Sequence, residues 1–242
     1  MNITIVGVGL LGGSFALGVK SVEDGHHFIG VDTNPENARK AVELGLVDEI
    51  KSFKQAAQIS DLVVLATPVN VIQRQLTEVL DLLQADAMVI DLGSTKANFS
   101  KVVAGHPKRR QYVSCHPIAG TENSGPEAAF STLLRHKQMI ICEKEKSENQ
   151  HLERILDIFK KLDMHISFMS SEDHDRHIAY VSHLSHISSF ALGLTVLEKE
   201  KDEKSIFAMA GSGFSSTVRL AKSSPDMWAP IFSNNAQNIS KA

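Results

Sequence analysis

Residues 2–14 read NITIVGVGLLGGS: a short β-branched run enters Gly7-Val-Gly-Leu-Leu-Gly12, and an apolar segment able to wind as a helix continues to residue 20. Each glycine of such a turn has its own physical reason. Gly7 permits the tight turn, Gly9 lets backbone approach a pyrophosphate, and Gly12 lets the helix pack on the strand. Val8, Leu10 and Leu11 complete the turn, and the helix start contributes its N–H groups and positive dipole end. Taken alone this G-x-G-x-x-G pattern is weak. Its context strengthens it, because Asp32 follows 20 residues after Gly12, at the end of a second strand-like run. A carboxylate there accepts hydrogen bonds from ribose hydroxyls and repels a 2′-phosphate, and Thr33-Asn34, not an arginine, come next. The expected cofactor is NAD, not NADP, held by Gly7, Val8, Gly9, Leu10, Leu11, Gly12 and Asp32.

Outward from that turn the chain alternates strand-like and helix-like segments. Residues 27–32 form a strand pattern, and 35–44 a helix with proline in its first turn. Residues 61–66 (DLVVLA) and 87–91 (AMVID) are short, apolar and near-continuous, as parallel strands buried on both faces are. Helical stretches follow at 69–83 and 96–104, further strands at 111–115, 138–142 and 165–169, and a helix over 148–162. This is the rhythm of a doubly wound sheet. Near residue 170 it stops. Residues 172–199 then read as one helix, with Ile178, Val181, Leu184 and Ile187 in a stripe extended by Leu194 and Leu197. The charged run 199–204 reads as a solvated connection, and later helices break at 210–213 and at Ser224-Pro225. The expected fold class is α/β: an N-terminal Rossmann-type doubly wound sheet over residues 1–170, then an all-helical C-terminal domain over 171–242. The final Ile239-Ser-Lys-Ala242 carries no helix-stop signal, which suits a longer native protein.

Composition narrows the class of function. At 242 residues and 43% hydrophobic, the chain can bury one full core and begin a second. A net charge of −3 without a basic run argues against a nucleic-acid partner. Residues 3–19 carry no charge, yet no basic residue precedes them, five glycines interrupt them, and they are too few to span. A spanning helix needs about 20 predominantly apolar residues. No membrane segment is expected. The two cysteines, Cys115 and Cys142, sit in apolar strand-like runs and read as buried thiols of a reducing, cytoplasmic setting.

Ligands of open parallel sheets lie outside the carboxyl ends of the strands. Ala66-Thr67-Pro68 occupies such a position and would border the cofactor, as would Asp91-Leu-Gly-Ser-Thr-Lys96. So does the stretch from Ser114 to Gly125, SCHPIAGTENSG, which begins as a strand end and then supplies an imidazole, a carboxylate, hydroxyls and two glycines. A neutral histidine is a natural proton acceptor near neutral pH. His116 is the candidate base and Ser94 its companion on the same sheet edge, although Ser94 reads equally as the N-cap of a helix near Lys96. His174 with His177, and His183 with His186, form i,i+3 pairs, but further ligands are missing and no metal is expected. His26, His106, His136 and His151 fall in polar surroundings and read as surface residues.

Taken together, GVGLLGGS (7–14), DLGSTK (91–96), CHPIAGTENSG (115–125), VSHLSH (181–186) and GSGFSSTVRLAKSSPDMW (211–228) resemble the prephenate and arogenate dehydrogenase family of tyrosine biosynthesis. The resemblance covers essentially the whole chain. HPIAGTE-x-SG and the run F-x-x-x-x-R-x-A-x-S-x-P-x-x-W are far more specific than the glycine motif. It implies oxidative decarboxylation of prephenate by NAD⁺, with 4-hydroxyphenylpyruvate, CO₂ and NADH as products. It further implies His116 as the catalytic histidine, Ser94 as its helper, and Arg219 as the partner of a substrate carboxylate. Thr121, Glu122, His183, Gly211 and Trp228 match positions lining the family's substrate pocket, while Thr67, Pro68 and Ser94 border the cofactor. A homodimer through the helical domain is implied as well.

Alternatives stay open at this point. Arogenate differs from prephenate only by an amine in place of a keto group. A β-hydroxyacid dehydrogenase or imine reductase shares the architecture but typically places its key residue, often a lysine, on the helical domain. An NAD-sensing module without catalysis would need neither His116 nor Arg219.

Overall fold

One sheet organises the first 174 residues of this computed structural model, which describes residues 1–203 and 205–242. Its strands are β1 (Asn2–Val6), β2 (His27–Val31), β3 (Glu49–Ile50), β4 (Leu62–Leu65), β5 (Met88–Asp91), β6 (Tyr112–Pro117), β7 (Gln138–Cys142) and β8 (His165–Met169). They lie in the order β3-β2-β1-β4-β5-β6-β7-β8. Pairing is parallel from β3 through to β6, antiparallel between β6 and β7, and parallel again between β7 and β8. The crossovers carry α1 (Leu10–Val22), α2 (Pro35–Glu43), α3 (Phe53–Ile59), α4 (Val69–Leu82) and α5 (Ala97–Val103), with α6 (Asn149–Lys161) linking β7 to β8. The fold is an α/β Rossmann-type sheet followed by a helical region.

Local chemistry starts these elements where they start. Asn34 accepts from the N–H groups of Glu36 and Asn37 at 2.9 and 3.3 Å, and Pro35 opens α2 with a φ already helical. Every residue of β4 and β5 is buried, which is why both read as unbroken apolar runs with no polar face. Ile3, Ile5, Phe15, Phe28 and Phe159 are wholly enclosed in one cluster between sheet and helices. Burying a side chain of this size stabilises by about 1.5–3 kcal/mol. The chain leaves β1 toward β2 on one side and returns to β4 on the other, so the sheet order reverses between β1 and β4. That switch point is where an open α/β sheet leaves a crevice.

A second compact unit spans Asp175–Ala242. The helix α7 (Ser171–Ile178) begins at the end of the first unit, where Ser170 and Asp173 form a reciprocal cap: the Asp173 N–H donates to Ser170 Oγ at 3.0 Å. A π-type turn over Ala179–His183 follows, then α8 (Leu184–Asp202), α9 (Ser212–Thr217), α10 (Pro225–Asn234) and α11 (Ala236–Lys241).

Several sequence expectations need correcting. The expected single helix over 172–199 contains the π-type turn, which advances the apolar stripe by a residue; Val181 and Leu194 are 75% and 65% exposed. The charged run expected to be a connection continues α8 as far as Asp202, and Lys204 lies outside the described residues. His151 is buried in α6, not on the surface, and His26 and His106 are partly covered. The strand β3 and helix α3 escaped notice altogether. Cys115 and Cys142 are buried in neighbouring strands and form no disulfide, matching the expected buried thiols.

Candidate functional site

The glycine turn after β1 shows a division of labour. Gly7 has φ +91° and donates its N–H to the Val31 carbonyl at 2.8 Å, tying the ends of β1 and β2 together. A side chain at Gly7 would stand 2.8 Å from the Ala66 carbonyl oxygen, so β1 and β4 meet there backbone to backbone. A Cβ at Gly12 would run into the Gly7 carbonyl oxygen and lie 2.7 Å from Ile5 Cγ2. At Gly9 a Cβ would meet nothing within 4 Å. Packing therefore demands glycine at 7 and 12, while Gly9 borders open space. Leu10 and Leu11 form the first turn of α1, whose leading N–H groups have no partner within the helix.

Asp32 is held at this turn. The Val8 N–H donates to its Oδ2 at 3.2 Å and the Asn34 N–H to its Oδ1 at 2.8 Å. Beside β4, the Thr67 hydroxyl donates to Gln75 Oε1 at 2.8 Å and Pro68 opens α4. An open cradle over Gly9, a helix N-terminus and a fixed carboxylate at the end of β2 fit a dinucleotide with an unphosphorylated ribose.

Two strands further on, a buried polar hub joins the Ser94 turn to β6. Asp91, fully enclosed, accepts from the Gly93 N–H at 2.9 Å, the Tyr112 hydroxyl at 2.6 Å and the Cys115 N–H at 3.3 Å, and pairs with the Lys96 ammonium. Lys96 also donates to the Cys115 carbonyl, one residue before His116. Burial and the Asp91 charge hold the Tyr112 phenol and the Cys115 thiol well above their ordinary pKa values, so neither ionises near neutral pH. The hub locks the turn over 92–96 against β6. Ser94, half-buried in that turn, does not cap α5, whose cap residue is Lys96.

His116 lies within β6, opposite Ile140 of β7, and not beyond the strand end as the sequence suggested. It is 7% exposed, and its Nδ1 stands 2.7 Å from Nε2 of His174, which is 1% exposed in α7. The parallel register of β1, β4, β5 and β6 sets their carboxyl ends along one edge. The glycine turn, Thr67-Pro68, Ser94 and His116 therefore share that edge. His174, which the sequence offered only as one half of an i,i+3 pair, is the partner that sequence reading did not assign to His116. It is far from His116 along the chain, and only the Ser170 cap that starts its helix was a local sign.

Within the helical unit, His183 is fully buried and Trp228 nearly so. Trp228 stacks on His186 with ring centroids 3.6 Å apart and meets His183 edge-on at 6.0 Å. The remaining expected residues lie on exposed segments, each within its own unit. Thr121 and Glu122 are exposed on the loop between β6 and β7, where Thr121 Oγ1 accepts from the nearby Asn123 N–H at 3.2 Å. Gly211 caps α9 at the surface. Arg219 is exposed and has no ion pair among the described residues, so Asp226 does not neutralise it. Among the described residues, no group of three or more His, Cys, Asp or Glu side chains could hold a metal ion, and no helix is long and apolar enough to cross a membrane.

Comparison with known proteins gives consistent matches. Residues 15–168 match the family described as "Prephenate dehydrogenase, nucleotide-binding domain", and residues 170–242 match "Prephenate dehydrogenase, dimerization domain". The prephenate dehydrogenase of Bacillus subtilis is 32% identical over 98% of this chain, which spans 65% of that relative's length. Among solved structures, prephenate dehydrogenase from A. aeolicus, in complex with hydroxyphenyl propionate and NAD⁺, is 34% identical with a TM-score of 0.91, over 100% of this chain and 85% of that one. Synechocystis arogenate dehydrogenase is 29% identical with a TM-score of 0.78, over 100% and 86% of the two chains.

Proposed function

The chain belongs to the prephenate dehydrogenase family, and from that membership we propose that it oxidatively decarboxylates prephenate with NAD⁺, giving 4-hydroxyphenylpyruvate, CO₂ and NADH. One observation carries the reading: a buried histidine on the same sheet edge as the glycine cradle, with its Nδ1 engaged by a second imidazole. When bound, NAD⁺ supplies the hydride acceptor. Gly7, Val8, Gly9, Leu10, Leu11 and Gly12 form its pyrophosphate cradle, Asp32 takes the ribose hydroxyls, and Thr67, Pro68 and Ser94 border it.

The protein's own part is proton handling and positioning. As the carbinol carbon of prephenate becomes carbonyl-like, the ring hydroxyl must lose its proton. His116 accepts it at Nε2, because Nδ1 faces His174. That role requires the neutral ring to carry its hydrogen on Nδ1 and donate it to His174 Nε2. The pairing then stabilises the imidazolium as it forms, the part an aspartate plays beside a catalytic histidine elsewhere. General-base action of this kind is worth about 10²–10⁴-fold in rate. Ser94 orients the hydroxyl or the imidazole, and the Asp91–Lys96 hub keeps its turn in register with β6. Loss of CO₂ leaves the C–C bonding pair in the ring, which becomes aromatic as a phenolate, and that oxygen takes back the proton held by His116.

Arg219 holds a substrate carboxylate, a role suited to its planar fork and supported by its having no ion pair among the described residues. Thr121, Glu122, His183, Gly211 and Trp228 complete the pocket. The nucleotide-binding domain is residues 1–170 and the substrate and dimerisation domain 171–242. A second copy of this chain is the proposed partner, covering the exposed Val181, Leu194 and Leu197. Two buried thiols outside any disulfide support a cytoplasmic setting. Incubation with prephenate and NAD⁺ tests the reading: NADH, CO₂ and 4-hydroxyphenylpyruvate should appear in equal amounts. NADH without CO₂ would assign a different dehydrogenase reaction.

A further inference from the structure

The helical unit contains an amide whose contacts admit one assignment. Asn235, 3% exposed at the junction of α10 and α11, brings its side-chain nitrogen to 2.7 Å from the Asp175 carbonyl oxygen and 3.0 Å from His183 Nδ1. Its Oδ1 accepts from Asn238 Nδ2 at 2.8 Å. A carbonyl oxygen can only accept, so the group beside Asp175 is the NH₂ and the amide cannot be reversed. Its second hydrogen then points to His183, where Nδ1 must receive it as a lone pair. An imidazole that accepts at Nδ1 is neutral and carries its hydrogen on Nε2.

The next imidazole on the same face has the opposite polarity. His186 Nδ1 lies 3.0 Å from the Ser182 carbonyl oxygen, so Nδ1 carries the hydrogen. Burial, assisted by the nearby Arg219 charge, lowers the His186 pKa and favours the neutral ring. Its Nε2 is then an acceptor. One turn of helix thus presents a fixed N–H at His183 and a fixed lone pair at His186, with the Trp228 ring against both.

We propose that Asn235 is a positioning residue that fixes His183 as an N–H donor, so that the substrate group meeting His183 Nε2 is an acceptor oxygen, carboxylate or keto, and never an ammonium. The donor assignment rests on the hydrogen-bond geometry alone; its use in recognition rests on the reading of His183 as a pocket residue. The same geometry removes His183 as a proton acceptor, since the lone pair it has is already taken by Asn235.

Nitrogen-15 NMR of the full chain tests the donor assignment without any substitution. His183 should show a protonated, pyrrole-like Nε2 and a bare, pyridine-like Nδ1; the reverse pattern overturns the proposal. Asn235→Leu tests the consequence. With the amide gone, the His183 signals should shift toward a mixture of tautomers. KM for prephenate should rise about tenfold, the worth of one weakened hydrogen bond to a charged group, with kcat held within about twofold. An unchanged KM in a folded variant, or a fall in kcat alone, overturns the recognition half. If Asn235→Leu does not fold, the unsubstituted spectrum still decides the donor assignment. If the intact protein shows the expected spectrum but does not turn over prephenate, the failure lies with the proposed function and not with Asn235.

Discussion

Replacing Gly9 and Gly12 separately by alanine should divide cofactor binding from folding, because the two positions differ in what surrounds them. At Gly12 the new methyl group would overlap the Gly7 carbonyl oxygen and approach Ile5 Cγ2 to 2.7 Å. Neither neighbour can rotate away, since one is backbone and the other lies in the enclosed core of β1. Overpacking of this kind costs about 1–3 kcal/mol. At about 2–4 °C per kcal/mol for a chain of this size, the melting temperature should fall by roughly 2–12 °C. Gly9 has φ −83° and ψ −155°, a backbone open to alanine, and space beyond its Cα. Alanine there should leave the unliganded protein as stable or up to about 1 kcal/mol more so, by narrowing the unfolded ensemble. It should nevertheless remove most of the stabilisation given by NAD⁺, which for the unaltered chain at 100 times Kd is about 2.7 kcal/mol. Thermal unfolding with and without NAD⁺ measures all of this. A Gly9→Ala protein that melts early without ligand, or gains as much from NAD⁺ as the parent, would show that the cradle is misread.

Other expectations follow from single contacts. Asp32→Ala should weaken NAD⁺ and narrow its advantage over NADP⁺, read as the ratio of kcat/KM for the two; an unmoved ratio would exclude Asp32 from the ribose. Arg219→Ala should raise KM for prephenate about ten- to a hundredfold, as expected for a charged hydrogen bond, and Lys should rescue only part because it lacks the fork. Lys96→Met leaves Asp91 buried without its cation and should cost about 3–5 kcal/mol in chemical denaturation; a loss below about 1 kcal/mol would show that the other three donors suffice. Glu143 is desolvated by burial, yet Lys146 and the Ser171 N–H bind its carboxylate strongly enough to lower its pKa. A group depressed on folding stabilises above its unfolded pKa, about 4.3, and loses that contribution as pH falls through the folded value. Glu143→Gln should therefore lower stability at neutral pH and bring the two proteins together as the solution is acidified toward pH 3. A constant gap would contradict the assignment.

The elements that could be read from the sequence were those whose burial leaves a periodic trace. β7 and β8 were located to the residue and β4 and β5 to within one; β4 and β5, enclosed on both faces, stand out as short unbroken apolar runs. β3 has two residues, too few for any period, and α3 depends on its Ser52 cap more than on an apolar face. The direction of β7 was not read, although a sign existed: residues 118–137 contain no crossover helix, and a parallel return needs one. At the site, the glycines, Asp32 and His116 sit in motifs whose spacing itself encodes a turn or a strand end. His174, Asn235 and the buried state of Lys96 depend on contacts between distant segments, which leave no local pattern. The π-type turn also has no signature, so the stripe predicted for an ideal helix drifted from the observed exposure.

Single-turnover formation of NADH by the intact enzyme and by His116→Asn, at saturating prephenate and NAD⁺, bears on the chemistry itself. Asparagine retains a hydrogen-bonding group at the end of β6 but cannot accept the proton. The rate of NADH formation should fall about 10²–10⁴-fold, while NAD⁺ binding, followed by its effect on thermal unfolding, stays as it was. A variant that forms NADH at close to the original rate would place the proton acceptor on another residue and undo the role assigned to the buried His116–His174 pair.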